Sequence, residues 1–142
     1  MNTTTATASH PPASLAAIAP AADLAGRAML ALIFLLAGAS KITGYEANLA
    51  YMASVGVPGF LLPGVIALEI LGGLALIAGF QTRLAALGLA IFSVASAVLF
   101  HMDLGDQMQF IMFFKNIAMA GGLLIVAAHP LGQWTVDRKI GA

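Results

Sequence analysis

The sequence predicts an all-α membrane protein: a polytopic, antiparallel bundle of four transmembrane helices, with one short interfacial helix between the first and second. Two observations predict this fold class. Of the 142 residues, 61% are hydrophobic and only 8% are charged, whereas soluble domains carry about 25% charged residues. The chain also contains four apolar stretches near the roughly 20 residues that cross a bilayer as a helix. These stretches are Ala21–Ile42, Phe60–Phe80, Leu84–Met102 and Met108–Ala128.

The segments around these stretches divide the chain into three predicted parts. Residues 1–20 are rich in Thr, Ala, Ser and Pro and are expected to form a disordered cytoplasmic tail. They contain no Lys or Arg, whereas a secretory signal peptide begins with basic residues. Residues 21–131 form the predicted transmembrane domain, and residues 132–142 form a short cytoplasmic C-terminal tail.

The connections between the stretches predict how the helices follow one another. The second and third stretches are separated only by residues 81–83, which predicts a tight antiparallel hairpin, and polar residues 103–107 join the third to the fourth. The first connection, residues 43–59, is longer. It carries apolar residues at helical spacing, Tyr45, Leu49 and Met52. This spacing predicts the short interfacial helix.

Basic residues predict the orientation of the helices. Four of them fall on the side of the N-terminus and two fall on or towards the other side: Arg27, Arg83, Arg138 and Lys139 against Lys41 and Lys115. This bias predicts that both termini lie in the cytoplasm. Arg27 and Arg83 are expected to act as topology determinants that anchor in the lipid headgroups.

Glu69 is the one charged residue of the second apolar stretch and lies near its middle. A charged side chain at the centre of a membrane-spanning helix costs about 2.5 to 3.5 kcal/mol on insertion scales, so it indicates a functional site. From the rise of 1.5 Å per residue, Lys115 and its neighbour Asn116 on the fourth helix lie at a similar depth. We therefore expect Lys115 to pair with Glu69.

Further polar and small residues extend this group. Lys41 and His101 fall at the outer ends of the first and third helices, so the group opens towards the periplasmic side. Gly72 and Gly73 follow Glu69 on one helical face, where neighbouring backbones can approach closely. Proton transfer would use Glu69, Lys115 and His101, and a ligand pocket would use Lys41, Glu69, Gly72, Gly73 and Asn116. Alternatively, the charges only fix the register of the bundle.

Composition and spacing exclude several classes of function. Six basic and six acidic residues give zero net charge, which excludes a nucleic-acid-binding surface. Cysteine is absent, so the chain cannot perform thiol redox chemistry itself. His101 and His129 fall at opposite ends of antiparallel helices and His10 falls in the tail, so no pair can ligate one haem. No metal-binding spacing occurs either, and we expect neither haem nor metal.

Several motifs, taken in order and spacing, resemble one family. They are Arg27, Phe34–Ile42, Gly56–Pro58, Leu68–Gly73, Gly79–Arg83 and Phe114–Gly122. The chain resembles the DoxX family of small bacterial inner-membrane proteins from about Arg27 to Leu131. The family's characteristic polar positions fall on Arg27, Lys41, Glu69, Arg83, His101, Lys115 and Asn116. The resemblance implies four membrane helices and a connection with thiosulfate:quinone oxidoreductase or with a membrane scaffold for oxidative-stress defence.

Three hypotheses for the function follow. In the first, the chain is an accessory or scaffold subunit of a membrane redox or oxidative-stress complex, in contact with lipids and protein partners. In the second, it is a quinone-linked oxidoreductase subunit in which Glu69, Lys115 and His101 transfer protons to a quinone. The third is transport of a small solute or protons, for which four short helices would have to form a homo-oligomer.

Overall fold

The computed structural model describes residues 13–129 and 132–141, which form α-helices, one 3₁₀ turn and no strand. The helices are α1 (Ala13–Thr43), α2 (Tyr45–Ser54), α3 (Leu62–Ala78), α4 (Thr82–Phe100), α5 (Gln107–Ala128) and α6 (Val136–Ile140). α1, α4, α5 and the combined segment Gly59–Ala78 are each long and apolar enough to cross a membrane. The predicted fold class is confirmed.

The first helix begins earlier than the sequence predicted. α1 starts at Ala13 and passes through Pro20, so residues 13–20 are helical and the prediction of a disordered tail is wrong for them. The alanines that led to the prediction of a tail have the highest helix propensity of all residues, which explains the extension. The rest of the predicted tail, residues 1–12, lies outside the described residues.

The predicted short helix between the first two spans is confirmed as α2. After α2, the chain turns at Gly56, which follows the C-cap Val55. Gly56 has a φ of +75°, a conformation that glycine adopts without strain. Pro58 then precedes a 3₁₀ turn over Gly59–Leu61, which leads directly into α3. The short helix therefore lies over the end of the bundle where α3 begins.

Close backbone contacts join α1 to α3. A Cβ atom on Gly38 of α1 would lie 2.8 Å from Ile70 Cδ1 and 3.3 Å from Glu69 Cβ. A Cβ atom on Gly73 of α3 would lie 2.9 Å from Leu35 Cδ2. Glycines thus allow the two helices to approach more closely than side chains would permit. The most extensive helix contacts are α1 with α3 and α4 with α5, and the α3–α4 hairpin contact is smaller.

The hydrophobic core lies in one half of the bundle. We call this the terminal half, because it contains the α3–α4 turn at Gly79–Gln81 and the end of α5 near the C-terminus. The buried core residues are Ala31, Phe34, Leu76, Ala86, Leu89, Ala90, Ala120 and Leu123. The other half, which we call the distal half, contains α2 and the α4–α5 loop and is less tightly filled.

Within the predicted short C-terminal tail, residues 132–141 pack against the terminal half of the bundle. Asp137 of α6 is only 4% exposed. Its Oδ1 accepts from the Gln81 backbone N–H (2.6 Å), and its Oδ2 accepts from the backbone N–H (2.8 Å) and hydroxyl (2.7 Å) of Thr82. The Asp137 backbone N–H donates to Gly79 O at 2.9 Å. The carboxylate therefore caps the N-terminus of α4, where unpaired N–H groups favour an anion.

Candidate functional site

A cavity of about 410 Å³ occupies the distal half of the bundle. We call it the distal cavity. Residues of all four spanning helices and of α2 line it, and they include Phe34, Lys41, Tyr51, Met52, Glu69, Phe92, Phe100, His101, Lys115 and Asn116. The five polar residues that the sequence grouped together, Lys41, Glu69, His101, Lys115 and Asn116, therefore surround one cavity.

Glu69 forms an ion pair inside this cavity with Lys41. Lys41 Nζ lies 2.8 Å from Glu69 Oε1, and the two side chains are 22% and 3% exposed. The contact follows from the helix packing, because Gly38 faces Glu69 Cβ and Lys41 lies one turn further along the same face of α1. The close α1–α3 approach thus places the lysine beside the carboxylate.

Glu69 does not pair with Lys115, so the predicted partner was wrong. Lys115 Nζ lies 3.0 Å from Met112 Sδ on its own helix, and its side chain is exposed. The two residues do not meet because α5 packs mainly against α4, whereas α3 packs mainly against α1. Lys115 still lines the distal cavity.

One carboxylate oxygen of Glu69 has no hydrogen-bond partner. Oε1 accepts from Lys41, but Oε2 is buried and accepts from no group of the described residues. A carboxylate has about four acceptor positions, and a buried acceptor without a partner costs about 1 to 3 kcal/mol or more if it is charged. This unpaired acceptor belongs to a residue that lines the distal cavity.

His101 and Asn116 are each held by a specific partner. His101 Nδ1 lies 2.7 Å from Gln109 Oε1, at the end of α4. Asn116 Nδ2 donates to Met112 O at 2.9 Å. Asp106 caps α5 by accepting from the Gln109 N–H. Across residues 13–129 and 132–141, no three His, Asp or Glu side chains lie close enough to hold a metal ion.

Gly72 and Gly73 do not line the cavity, so their predicted place in a ligand pocket was wrong. A Cβ atom on Gly72 would lie 3.1 Å from Leu89 Cδ1 of α4, whereas Gly73 faces α1. Their small size instead serves helix packing, which confirms the small-residue face that the sequence indicated.

Arg27 is buried in the terminal half, with 1% exposure, so the expectation of a headgroup anchor was wrong. Its Nη1 donates to Leu76 O (2.6 Å) and Ile77 O (3.1 Å), and its Nη2 donates to Trp134 O (3.0 Å). Its Nε lies 3.1 Å from Asp23 Oδ2. The guanidinium therefore caps the last carbonyls of α3, where the helix dipole favours a cation. Arg83 is exposed in the first turn of α4, and its role in topology stays a prediction.

The sequence interpretation missed Asp137 as a member of this polar network. Burial of its carboxyl group raises its pKa, but hydrogen bonds from Thr82 and Gln81 and the charge of Arg27 lower the pKa further, so the net shift is downward. A local signal existed, because Thr135 caps α6 by accepting from the Arg138 N–H, and a cap pattern indicates a helix.

A second cavity, of about 390 Å³, lies beside Arg27.

Comparison with known families gives a clear assignment. The DoxX family model matches residues 22–102, which is more than half of the chain. The chain belongs to the DoxX family. The match contains Lys41, Glu69 and His101 and ends before Lys115 and Asn116. The resemblance that the motifs indicated is therefore confirmed.

Named relatives of this DoxX protein include two inner membrane proteins of Escherichia coli K12. YqjF is 44% identical over 117 residues, which cover 82% of this chain and 90% of YqjF. YphA is 32% identical over 127 residues, which cover 84% of this chain and 91% of YphA. A Bacillus subtilis 168 protein named "Putative oxidoreductase CatD" is 28% identical over 72 residues, or 51% of this chain and 54% of CatD. No solved structure matches the chain.

Proposed function

We propose that this DoxX protein is a subunit of a redox system in the bacterial inner membrane and that its distal cavity binds the headgroup of a quinone. The observation that carries the proposal is the unpartnered Glu69 Oε2, which is buried beside Lys41 at an otherwise largely apolar cavity. A structural ion pair alone would be expected to have its remaining acceptor satisfied by a neighbouring group.

The cavity fits such a headgroup in size and character. Its volume of about 410 Å³ falls in the range of about 300 to 1,000 Å³ that is usual for small-molecule sites. Aromatic residues Phe34, Phe92 and Phe100 contribute to its walls and offer apolar surface to a ring. A few polar groups on an apolar wall are the usual composition of a ligand pocket.

The polar residues can hold protons and orient the ligand. A bound quinone would supply reversible two-electron, two-proton chemistry. Lys41 Nζ can donate a hydrogen bond to a ligand oxygen while it keeps its bond to Glu69. Glu69 Oε2 and the His101 ring can each hold a proton, as buried carboxylates and imidazoles do in general acid–base catalysis. Lys115, at the cavity lining on α5, adds positive charge.

The relatives and the missing cysteine support a role as a subunit. One relative bears the name "Putative oxidoreductase CatD", and YqjF and YphA are inner membrane proteins. Because the chain contains no cysteine, we infer that a partner protein exchanges electrons with the quinone, which combines the redox and accessory hypotheses. Both termini lie in the cytoplasm in this proposal, as the basic residues predict.

Packing in the terminal half argues against the transport hypothesis. Leu76, Leu89 and Leu123 have 0% exposure and lie between the distal cavity and the terminal face. A transported solute would have to separate this core, so the distal cavity is better described as a pocket with one closed end.

A cavity-filling variant tests the proposed function. Ala37 lines the distal cavity, and Ala39, on the same helix, is exposed and does not line it. We expect Ala37→Phe to weaken binding of a short-tailed benzoquinone to the detergent-purified protein by tenfold or more, and the matched Ala39→Phe variant to bind normally. Absence of quinone binding by the wild-type protein, or equal binding by Ala37→Phe, would refute the proposal.

A further inference from the structure

The proposed quinone site presents hydrogen-bond acceptors to its ligand. Such acceptors affect which redox form of the ligand the site binds more tightly. Glu69 Oε2 is the first acceptor, buried and without a donor. In its ionised form, paired with Lys41 Nζ at 2.8 Å through the other carboxylate oxygen, Glu69 presents an Oε2 that can only accept a hydrogen bond. A ligand that satisfies Oε2 must therefore bring an O–H or N–H group.

His101 provides a second acceptor. Gln109 Oε1, at 2.7 Å from His101 Nδ1, is an amide oxygen and can only accept, so the hydrogen of this bond belongs to Nδ1. In a neutral imidazole the other ring nitrogen, Nε2, then carries a lone pair. Since His101 lines the distal cavity, Gln109 holds it in the tautomer that accepts from a ligand.

The lysines of the cavity do not discriminate between redox forms. Lys41 and Lys115 donate hydrogen bonds, and both a quinone carbonyl and a hydroquinone hydroxyl oxygen can accept them. The acceptors Glu69 Oε2 and His101 Nε2, in contrast, distinguish the two forms. A hydroquinone can donate to these acceptors, whereas a quinone has carbonyl oxygens that leave them unpaired.

We propose that the distal cavity binds the two-electron-reduced, dihydroxy form of its ligand more tightly than the quinone form. The inference rests on the proposed function and adds to it the redox form that the site stabilises. A buried charged acceptor that gains a donor supports a preference of about tenfold or more. A tenfold preference corresponds to a rise of about 30 mV in the reduction potential of the bound two-electron couple.

The test compares both redox forms of one probe on the full chain. A short-tailed benzoquinone and its hydroquinone are titrated anaerobically into the purified protein in nanodiscs, and the ratio of the two dissociation constants is measured. We expect the hydroquinone to bind at least tenfold more tightly. Glu69→Gln presents an amide N–H group where the carboxylate accepted, so this variant should lose or reverse the preference. The matched Glu46→Gln variant, on the exposed face of α2, should keep it.

The possible results separate this inference from the proposed function. Equal affinities, or tighter binding of the quinone, would overturn the inference and leave a quinone site in place. Binding of neither form would overturn both. If Glu69→Gln does not fold, the redox potential of the probe bound to the wild-type protein decides, because a potential at or below that of the free probe contradicts the preference.

Discussion

Replacement of Lys41 by methionine should destabilise the bundle, because it leaves the Glu69 carboxyl group buried without its ion-pair partner. Methionine keeps much of the length of the lysine stem and removes the ammonium group. Removing one partner of a buried ion pair costs about 3 to 5 kcal/mol, mostly from the charge that stays behind. Glu69 is 3% exposed but Lys41 is 22% exposed, so we expect a loss near the lower end, about 3 kcal/mol.

Two further variants make this prediction specific. Lys115→Met removes an exposed ammonium group, and neither ion pair found among the described residues involves Lys115, so its cost should stay below about 0.5 kcal/mol. Lys41→Met combined with Glu69→Gln removes both charges. We expect this double variant to recover most of the lost stability, because the uncompensated charge is gone.

Unfolding of the detergent-solubilised protein by increasing mole fractions of SDS, followed by circular dichroism, measures all three variants and the wild type. The double-mutant cycle gives the coupling between Lys41 and Glu69. A Lys115→Met variant as unstable as Lys41→Met would refute the pairing seen here and restore the partner that depth alone indicated. A double variant no more stable than Lys41→Met would show that the charge of Glu69 is not the cause.

Three other predictions concern the terminal half and the helix contacts, and the same unfolding assay checks them. Asp137→Asn should lower the free energy of unfolding by about 2 kcal/mol at neutral pH. Because folding lowers the pKa of Asp137, the wild-type protein should keep this stabilisation down to the ordinary pKa of 3.8. Below that pH the stabilities of the two proteins should converge. Arg27→Lys should lower the free energy of unfolding by about 2 kcal/mol, since an ammonium group cannot reproduce the planar guanidinium that donates to three carbonyls. An unchanged stability would contradict the proposed role of these hydrogen bonds. Gly73→Ala should destabilise the α1–α3 contact, because the added Cβ would meet Leu35. A Cβ on Gly121 would have no atom within 4 Å, so Gly121→Ala should stabilise α5 by about 0.5 to 1 kcal/mol. Equal effects of the two variants would contradict the packing role of Gly73.

Local chemistry made much of the architecture predictable. Four apolar stretches of the right length predicted four membrane helices, and the spacing of Tyr45, Leu49 and Met52 predicted α2. The need of Glu69 for a partner also followed from the sequence, because the cost of an isolated charge in hydrocarbon does not depend on the rest of the fold. Other features required distant parts of the chain. Arg27 looked like an interfacial residue until its partners, the last carbonyls of α3 and Trp134 O, were known.

The sequence by itself determined the membrane class, the helices, the family and the depth of each charge, because hydrophobicity and the helical rise act within one segment. Only the tertiary structure decided which charges meet. Depth alone indicated Lys115 as the partner of Glu69, but Gly38 and Gly73 let α1, which carries Lys41, approach α3 closely, and α5 packs against α4 instead. Lateral neighbours depend on such contacts between segments, and so do the distal cavity and the unpaired oxygen of Glu69.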